Sequence, residues 1–308
     1  MYTTQKDELL ARMEKAARTA TTFFLWPNGD APGAQPSRVT LTLESDHTGN
    51  SAWDRAVTGI RAPQVTVYQP ERPNGVGILV TPGGSYKRVV LDKEGTALAP
   101  DFTARGYTLF VMTYRLPGDG HVEGANAPLA DVQRAMRTIR SQAAQWGLQP
   151  DKLGVLGFSS GGHVAASLGT RFAEPASSPL DAVDELSARP DFMALVYPVI
   201  SMDSEFGHPG SRHELIGDAP DAERRAHYSL EKRVDDDTPP TFILHAVDDP
   251  AVKVENSLAL FNALRAHRVP VEIHLFEQGL HGFGIRDTLG LPVEVWPQLM
   301  MNWIATKV

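Results

Sequence analysis

Continuous apolar runs alternate with amphipathic stretches along most of this chain. Apolar runs bounded by glycine or proline, typical of strands buried on both faces, occupy residues 76–80, 107–112 and 153–158. Between them, residues 94–105 and 129–146 carry the three- and four-residue apolar spacing of helices. Strands that alternate with helices predict an α/β fold with a doubly wound, mostly parallel sheet and helices on both faces.

The same alternation continues on both sides of this central stretch. Residues 64–68 alternate apolar and polar positions, as a half-exposed antiparallel strand does. Further elements are predicted later in the chain: strands at residues 192–199, 241–247 and 271–276, and helices at residues 255–267 and 295–305. At the start of the chain, the pattern of residues 1–36 predicts two parts. Residues 1–20 are expected to form an amphipathic helix, and an extended segment rich in proline and glycine follows it.

Residues 201–240 break the alternation. This segment is rich in Asp, Glu, Arg and His, and it is longer than an ordinary connection between a helix and a strand. It is either a cap inserted over a functional site or a solvated excursion without a role. We interpret it as a small inserted cap within a single domain, residues 1–308.

The composition allows one large core and narrows the chemistry. Of the 308 residues, 42% are hydrophobic and 21% are charged, and no tract is biased enough to predict disorder. The chain has no cysteine, which excludes disulfides, thiolate metal sites and cysteine nucleophiles. The histidines of residues 201–240 lack a recognisable metal-ligand spacing, so we predict neither a metal nor a cofactor. Catalysis would therefore depend on serine, histidine and carboxylates.

Charge and hydropathy limit the partners. The net charge is −8 and the basic residues are scattered, so no nucleic acid or anionic lipid partner is expected, and a neutral or weakly charged substrate fits best. No apolar run approaches the roughly 18 residues of a membrane span. Residues 1–20 lack the apolar core of a secretory signal, which predicts a cytoplasmic protein, or a periplasmic or secreted one if a signal was removed. The oligomeric state stays open.

Residues 157–162 contain a candidate nucleophile. They read Gly-Phe-Ser-Ser-Gly-Gly, between a predicted buried strand and a helix of small residues, which is the arrangement of a nucleophile elbow. Glycines are expected on both sides because the sharp turn leaves no room for Cβ atoms. Of the two serines, Ser159 alone has glycine at both −2 and +2. We predict Ser159 as the nucleophile of an α/β-hydrolase fold, with the Ser160 N–H facing the oxyanion.

The base should lie in a loop after the last strand, and His281 is found there. Glycines flank it, and its imidazole has an unperturbed pKa suited to proton exchange near neutrality. His163 is the main competitor, one helical turn after Ser159, where packing beneath the elbow is the simpler interpretation. The other histidines fall on predicted strands, at a helix end or in residues 201–240.

Two carboxylates compete for the role of the acid. Asp248 and Asp249 follow the predicted strand 241–247, in the chain order Ser, Asp, His. Either could orient the imidazolium. We prefer Asp249 because Val252 completes the usual Asp-x-x-Val pattern, and Asp248 remains the alternative.

The loop at residues 81–86 is the candidate for a second oxyanion donor. It follows the predicted strand 76–80, and its glycines allow amides to point at a substrate. Gly84 is the leading donor, and Gly83 is a further candidate. A Pro-Gly-Gly sequence by itself usually indicates only a turn.

These segments resemble a bacterial branch of the esterase and lipase family that includes acetyl xylan esterases and feruloyl or acetyl esterases. The resemblance spans roughly residues 23–303, and it is carried by shared motifs at residues 24–29, 82–86, 92–95, 157–163, 197–202, 254–258 and 281–284. Two positions depart from the family pattern. Ser85 stands where a third glycine is usual, and Lys253 stands where a proline is usual.

The resemblance implies a triad of Ser159, Asp249 and His281 that hydrolyses an acyl ester, commonly acetyl, on a sugar such as a xylo-oligosaccharide. Separately from the resemblance, Ser85, Tyr86 and His213 are predicted to bind the substrate. The alternatives are a general carboxylesterase, a serine peptidase, or a receptor that keeps the fold without catalysis. A peptidase of this type would carry an additional large domain, for which the chain has no room.

Overall fold

The computed structural model describes residues 2–36, 39–43 and 53–308. Its strands, in chain order, are β1 (Thr21–Phe24), β2 (Thr40–Leu43), β3 (Arg55–Thr58), β4 (Gln64–Tyr68), β5 (Gly77–Thr81), β6 (Val89–Val90), β7 (Thr108–Met112), β8 (Leu153–Phe158), β9 (Phe192–Val196), β10 (Thr241–Ala246) and β11 (Val271–Phe276). Eight of them form one sheet in the order β1-β4-β7-β5-β8-β9-β10-β11. Strands β2, β3 and β6 form a small separate sheet that the sequence patterns did not predict.

The large sheet is parallel from β7 to β11 and antiparallel at its β1 and β4 edge. This confirms the predicted mostly parallel sheet of an α/β-hydrolase fold. Strands β5, β7, β8, β9 and β10 are buried along their whole length, as their continuous apolar sequence requires. Two buried clusters of apolar side chains cover the two faces of the sheet.

The helices pack on these faces and connect the strands. They are α1 (Tyr2–Thr19), α2 (Ala99–Thr103), α3 (Ala127–Ser141), α4 (Ser159–Arg171), α5 (Pro209–Ile216), α6 (Ala222–Tyr228), α7 (Glu255–Ala266) and α8 (Trp296–Ile304). Met1, which the sequence pattern included in the first helix, lies outside the described residues. None of the helices in the described ranges is both long and apolar enough to cross a membrane.

Three predicted elements end earlier or are shorter than their sequence patterns suggested. The α-helix expected over residues 129–146 ends at Ser141, and a 3₁₀ turn follows it. The helix expected over residues 94–105 is a short 3₁₀ turn followed by α2, whose first turn contains Pro100. The strand expected over residues 192–199 ends at Val196, because Tyr197 has a φ of 39° and Pro198 has no N–H to donate to a neighbouring strand.

Residues 201–240 connect β9 to β10 and contain α5 and α6. Leu215, Ile216, Tyr228 and Leu230 from this segment are buried in one of the two apolar clusters. Burial of these side chains fixes the segment against the domain. The interpretation as a wholly solvated excursion is therefore wrong.

A buried ion pair joins the N-terminal segment to α3. The Arg115 guanidinium is fully buried and lies 3.0 Å from the Asp131 carboxylate and 2.7 Å from the Glu123 carboxylate. Asp131 also accepts a hydrogen bond from the Trp26 indole N–H at 3.0 Å, and Arg115 donates to the Pro32 carbonyl at 3.1 Å. Asp131 and Arg115 thus add side-chain contacts to the N-terminal segment, which also pairs with β4 through β1.

Replacing Asp131 with alanine should lower the free energy of unfolding by about 3 kcal/mol. The change removes one of the two carboxylates that pair with the buried Arg115 guanidinium, and it leaves the Trp26 indole N–H without its acceptor. Urea unfolding measures the change. The control is Asp236→Ala, since the Asp236 side chain is 90% exposed and its loss should cost less than about 0.5 kcal/mol. Equal stability of the two variants would contradict the assigned role of Asp131.

Candidate active site

Ser159 lies in a sharp turn between β8 and α4, at the carboxyl edge of the sheet. Its φ of 51° is in the left-handed region, which a serine adopts only when its surroundings enforce it. The turn brings α4 against the end of β5, where a Cβ atom on Gly161 would lie 2.1 Å from the Thr81 carbonyl oxygen. Glycine at position 161 is therefore a steric requirement of this turn.

His281 and Asp249 complete a chain of hydrogen bonds that starts at Ser159. The Ser159 Oγ lies 3.0 Å from the His281 Nε2, and the His281 Nδ1 lies 2.6 Å from the Asp249 Oδ2. An ionised carboxylate only accepts, so Nδ1 carries the proton and Nε2 is free to accept one from Ser159. This arrangement has the geometry of a serine nucleophile, a base and an orienting acid.

The Asp249 carboxylate is fixed by several donors. Its Oδ1 accepts the N–H groups of Ala251 and Val252, each at 2.8 Å, and its Oδ2 lies 3.3 Å from the Nε2 of His245. Burial opposes ionisation of the carboxyl group, but the hydrogen bonds from His245 and His281 outweigh it and hold the pKa of Asp249 well below its usual range. Asp249 is therefore a carboxylate near neutral pH.

The structure separates the two candidate acids. Asp249 contacts His281, whereas the Asp248 Oδ1 accepts the backbone N–H of Leu280 at 2.8 Å. Leu280 has a φ of 59°, so this hydrogen bond helps to hold the residue before the imidazole in a left-handed conformation. Asp248 thus contacts the histidine loop through its backbone and does not contact the imidazole.

The loop at residues 81–86 lies beside Ser159. Gly84 has a φ of 134°, and a Cβ atom there would lie 2.2 Å from the Arg88 carbonyl oxygen. In the described part of the chain, the Gly84 and Ser160 N–H groups donate to no protein acceptor, so they are available to a ligand. The N–H of Gly83 instead donates to the Glu94 carboxylate at 2.7 Å. The expectation that Gly83 serves as an oxyanion donor is therefore wrong.

Ser85 and Tyr86, both predicted to bind substrate, have different environments. Ser85 is half-buried in the loop with a φ of 58°, which explains the usual preference for glycine at this position. The Tyr86 side chain is 2% exposed, and its hydroxyl lies 2.7 Å from the His163 Nδ1. The prediction for Tyr86 is wrong, because its side chain is buried beneath the loop against a histidine.

His163 supports the loop from below. Its Nε2 donates to the Tyr228 carbonyl at 2.8 Å, so its Nδ1 accepts the proton of the Tyr86 hydroxyl. Burial lowers the pKa of His163 to about 4. It is therefore a neutral structural histidine, as the sequence interpretation favoured.

His208, in residues 201–240, is near enough to the Ser159 site for His281 and Asp249 to act on it electrostatically. Burial is the main cause that lowers the pKa of this side chain below its ordinary value. His213 is more than half exposed and pairs with Asp218 at 2.5 Å, so its proposed contact with substrate stays a prediction. No sequence signal separated these two histidines. Across the described ranges, no three His, Asp or Glu side chains are grouped as a metal site requires.

Comparison with known proteins places this chain within one family. The BD-FAE family model matches residues 67–264, which is more than half of the chain. The chain is also similar to an endo-1,4-β-xylanase B of Butyrivibrio fibrisolvens, at 38% identity over 68% of this chain and 33% of that protein. An acetylxylan esterase of Xylanibacter ruminicola is 33% identical over 72% of this chain and 44% of its own length. The chain therefore spans less than half the length of these two relatives.

Among solved structures, the chain is similar to an acetyl ester-xyloside bifunctional hydrolase from Caldicellulosiruptor lactoaceticus. The sequence identity is 37% and the TM-score is 0.72, and the match covers 80% of this chain and 88% of the other. The similarity thus extends over most of the fold described above.

The free energy of unfolding should fall as the pH is lowered from about 6.5 to about 4. Because the pKa of His163 is depressed in the folded state, the unfolded chain binds the proton more readily across this window. The contribution of one such group approaches about 1.4 kcal/mol per pH unit. Urea unfolding at several pH values should show a shallower dependence for His163→Gln than for the parent. Equal slopes would contradict this assignment.

Proposed function

The chain belongs to the BD-FAE family, and from this premise we propose that it is a serine esterase that removes short acyl groups, above all acetyl, from carbohydrate hydroxyls. One observation carries the proposal, the hydrogen-bonded series from Ser159 through His281 to Asp249, with distances of 3.0 and 2.6 Å. A serine hydroxyl needs such a base to become a nucleophile.

The choice of substrate class is supported by the relatives. One is an acetylxylan esterase and another is an acetyl ester-xyloside bifunctional hydrolase, and both names refer to acetyl groups and to a xylan or a xyloside. Lys87 and Lys93, on the segments that follow the 81–86 loop, pair with Glu214 and Asp287, and this pairing of their charges suits an uncharged ester.

In the first step, the His281 Nε2 takes the proton of Ser159 as its Oγ attacks the ester carbonyl carbon. The developing oxyanion would be held by the N–H groups of Ser160 and Gly84, each worth about 2.7–4 kcal/mol in the transition state. Asp249 stabilises the imidazolium that forms. Collapse of the tetrahedral intermediate breaks the bond to the sugar oxygen, which leaves with the proton from His281.

In the second step, water replaces the sugar. His281 removes a proton from the water, the resulting hydroxide attacks the acyl carbon, and the bond to the Ser159 Oγ breaks. That oxygen recovers its proton from His281, and the product leaves as a carboxylic acid that loses its own proton to the solvent. The enzyme returns to its starting protonation state.

Ser159→Ala should abolish hydrolysis, because it removes the nucleophile. Acetate release from acetylated xylo-oligosaccharides and p-nitrophenyl acetate cleavage are the measurements, and we expect a fall in kcat of about a millionfold or to background. The control is Ser141→Ala, at the end of α3, whose hydroxyl only donates to the Thr138 carbonyl. Parent-level activity in Ser159→Ala would refute the mechanism. Cleavage of p-nitrophenyl acetate without acetate release from any acetylated sugar would refute the carbohydrate substrate.

The two neighbouring aspartates provide a matched pair of variants. Asp249→Asn should lower kcat by about 10⁴-fold, because the amide no longer orients and stabilises the imidazolium. Asp248→Asn keeps an oxygen acceptor for the Leu280 N–H, so its kcat should fall by less than about tenfold. Steady-state kinetics on p-nitrophenyl acetate distinguish the two. A larger loss in Asp248→Asn would show that the acid has been misassigned.

A further inference from the structure

A buried carboxylate connects the two loops that flank Ser159. Glu94 is 5% exposed, and its Oε2 accepts the Gly83 N–H of the loop at residues 81–86 at 2.7 Å. Its Oε1 accepts the hydroxyl proton of Tyr197 at 3.0 Å. The residue lies in neither loop, so it can fix one relative to the other.

Tyr197 extends this connection to the histidine loop. Its hydroxyl oxygen accepts the Gly284 N–H at 2.9 Å while its proton goes to Glu94. Its ring centroid lies 5.0 Å from that of His281 and 4.6 Å from that of Phe283. One side chain thus contacts the backbone and both rings of the loop that carries the imidazole.

The Tyr197 hydroxyl is the proton donor of this bridge. Burial, followed by the negative charge of Glu94, raises the pKa of Tyr197 well above its ordinary value. The hydroxyl therefore keeps its proton over the whole range in which an esterase would act. A buried carboxylate is stable only while its donors remain in place, so movement of either loop would leave Glu94 with an unmet acceptor.

Tyr197 itself is held in a strained conformation. Its φ of 39° is in the left-handed region, at the point where β9 ends. Such a conformation persists in a residue other than glycine only when the surrounding contacts enforce it. The bonds to Glu94 and Gly284 and the ring packing supply those contacts.

We propose that Glu94 and Tyr197 are positioning residues that join the Gly83–Gly84 amide loop and the His281 loop into one unit, so that the oxyanion donor and the base keep a fixed separation around Ser159. This rests on the proposed esterase function. A fixed separation matters most in the transition state, when the charge on the oxyanion and the charge on the imidazolium develop together.

The test uses the full chain and three variants. Tyr197→Phe retains the ring against His281 but removes the bridging hydroxyl. Glu94→Gln can accept from only one of its two donors. Each should lower kcat on p-nitrophenyl acetate by about 10–100-fold with KM changed by less than about threefold, because the loops are displaced mainly from transition-state geometry. The double variant should lose no more than about threefold beyond the poorer single variant, since both changes break the same bridge.

Two further measurements separate positioning from loss of structure. Tyr107→Phe is the matched control, because the hydroxyl of this buried tyrosine donates to the Met301 carbonyl and contacts neither loop. The kcat of this variant should equal that of the parent. Urea unfolding identifies any variant that is not folded at the assay temperature. If Glu94→Gln does not fold, Tyr197→Phe alone carries the test.

The rate of Ser159 labelling by a fluorophosphonate gives a readout that needs no particular ester. Slower labelling in folded Tyr197→Phe, by about the same factor as kcat, supports the proposal. The proposal would be overturned if folded Tyr197→Phe had the kcat and the labelling rate of the parent, or if only its KM changed. It would also be overturned if the kcat losses of the two single variants multiplied in the double variant. If the unmodified protein is labelled at Ser159 but cleaves no ester, the proposed function is refuted. The labelling rates of the variants would still decide whether Glu94 and Tyr197 position the two loops.

Discussion

The left-handed turn at Ser159 is the constraint around which the rest of the site is organised. It reverses the chain within a residue of the end of β8 and starts α4 at once, so the helix must approach the end of β5 closely. That approach excludes a Cβ atom at Gly161. The strain is supported by the surrounding sheet, whose central strands are buried and therefore cannot shift independently.

Because the sheet is parallel here, three loops emerge at the same edge. The loop after β5 carries the amide of Gly84, the loop after β10 carries Asp249, and the loop after β11 carries His281. Residues far apart in sequence thereby meet within hydrogen-bonding distance. Buried polar groups beneath these loops accept N–H groups that the loops themselves leave unpaired. Glu94, which accepts the Gly83 N–H and the Tyr197 hydroxyl proton, is one of them.

The two acids illustrate the difference between a motif and a geometry. In sequence, Asp248 and Asp249 are neighbouring carboxylates at the end of one strand, and a spacing pattern favoured the second. In the structure, both accept hydrogen bonds from the histidine loop or its imidazole, one through the Leu280 backbone and the other through His281. The same loop therefore requires both carboxylates, in different roles.

The sequence by itself determined the fold class, the strands near Ser159, and the choice of Ser159 and His281, because these depend on local patterns: buried apolar runs, and glycines on either side of a serine or a histidine. Only the tertiary structure decided that Asp249 and not Asp248 contacts His281, that the Gly83 N–H donates to Glu94, and that Tyr86 is buried against His163. Those facts depend on which side chains meet across loops separated by tens to hundreds of residues. No local pattern encodes such a meeting, since it is fixed by the stacking of strands and by the packing of residues 201–240 onto the domain.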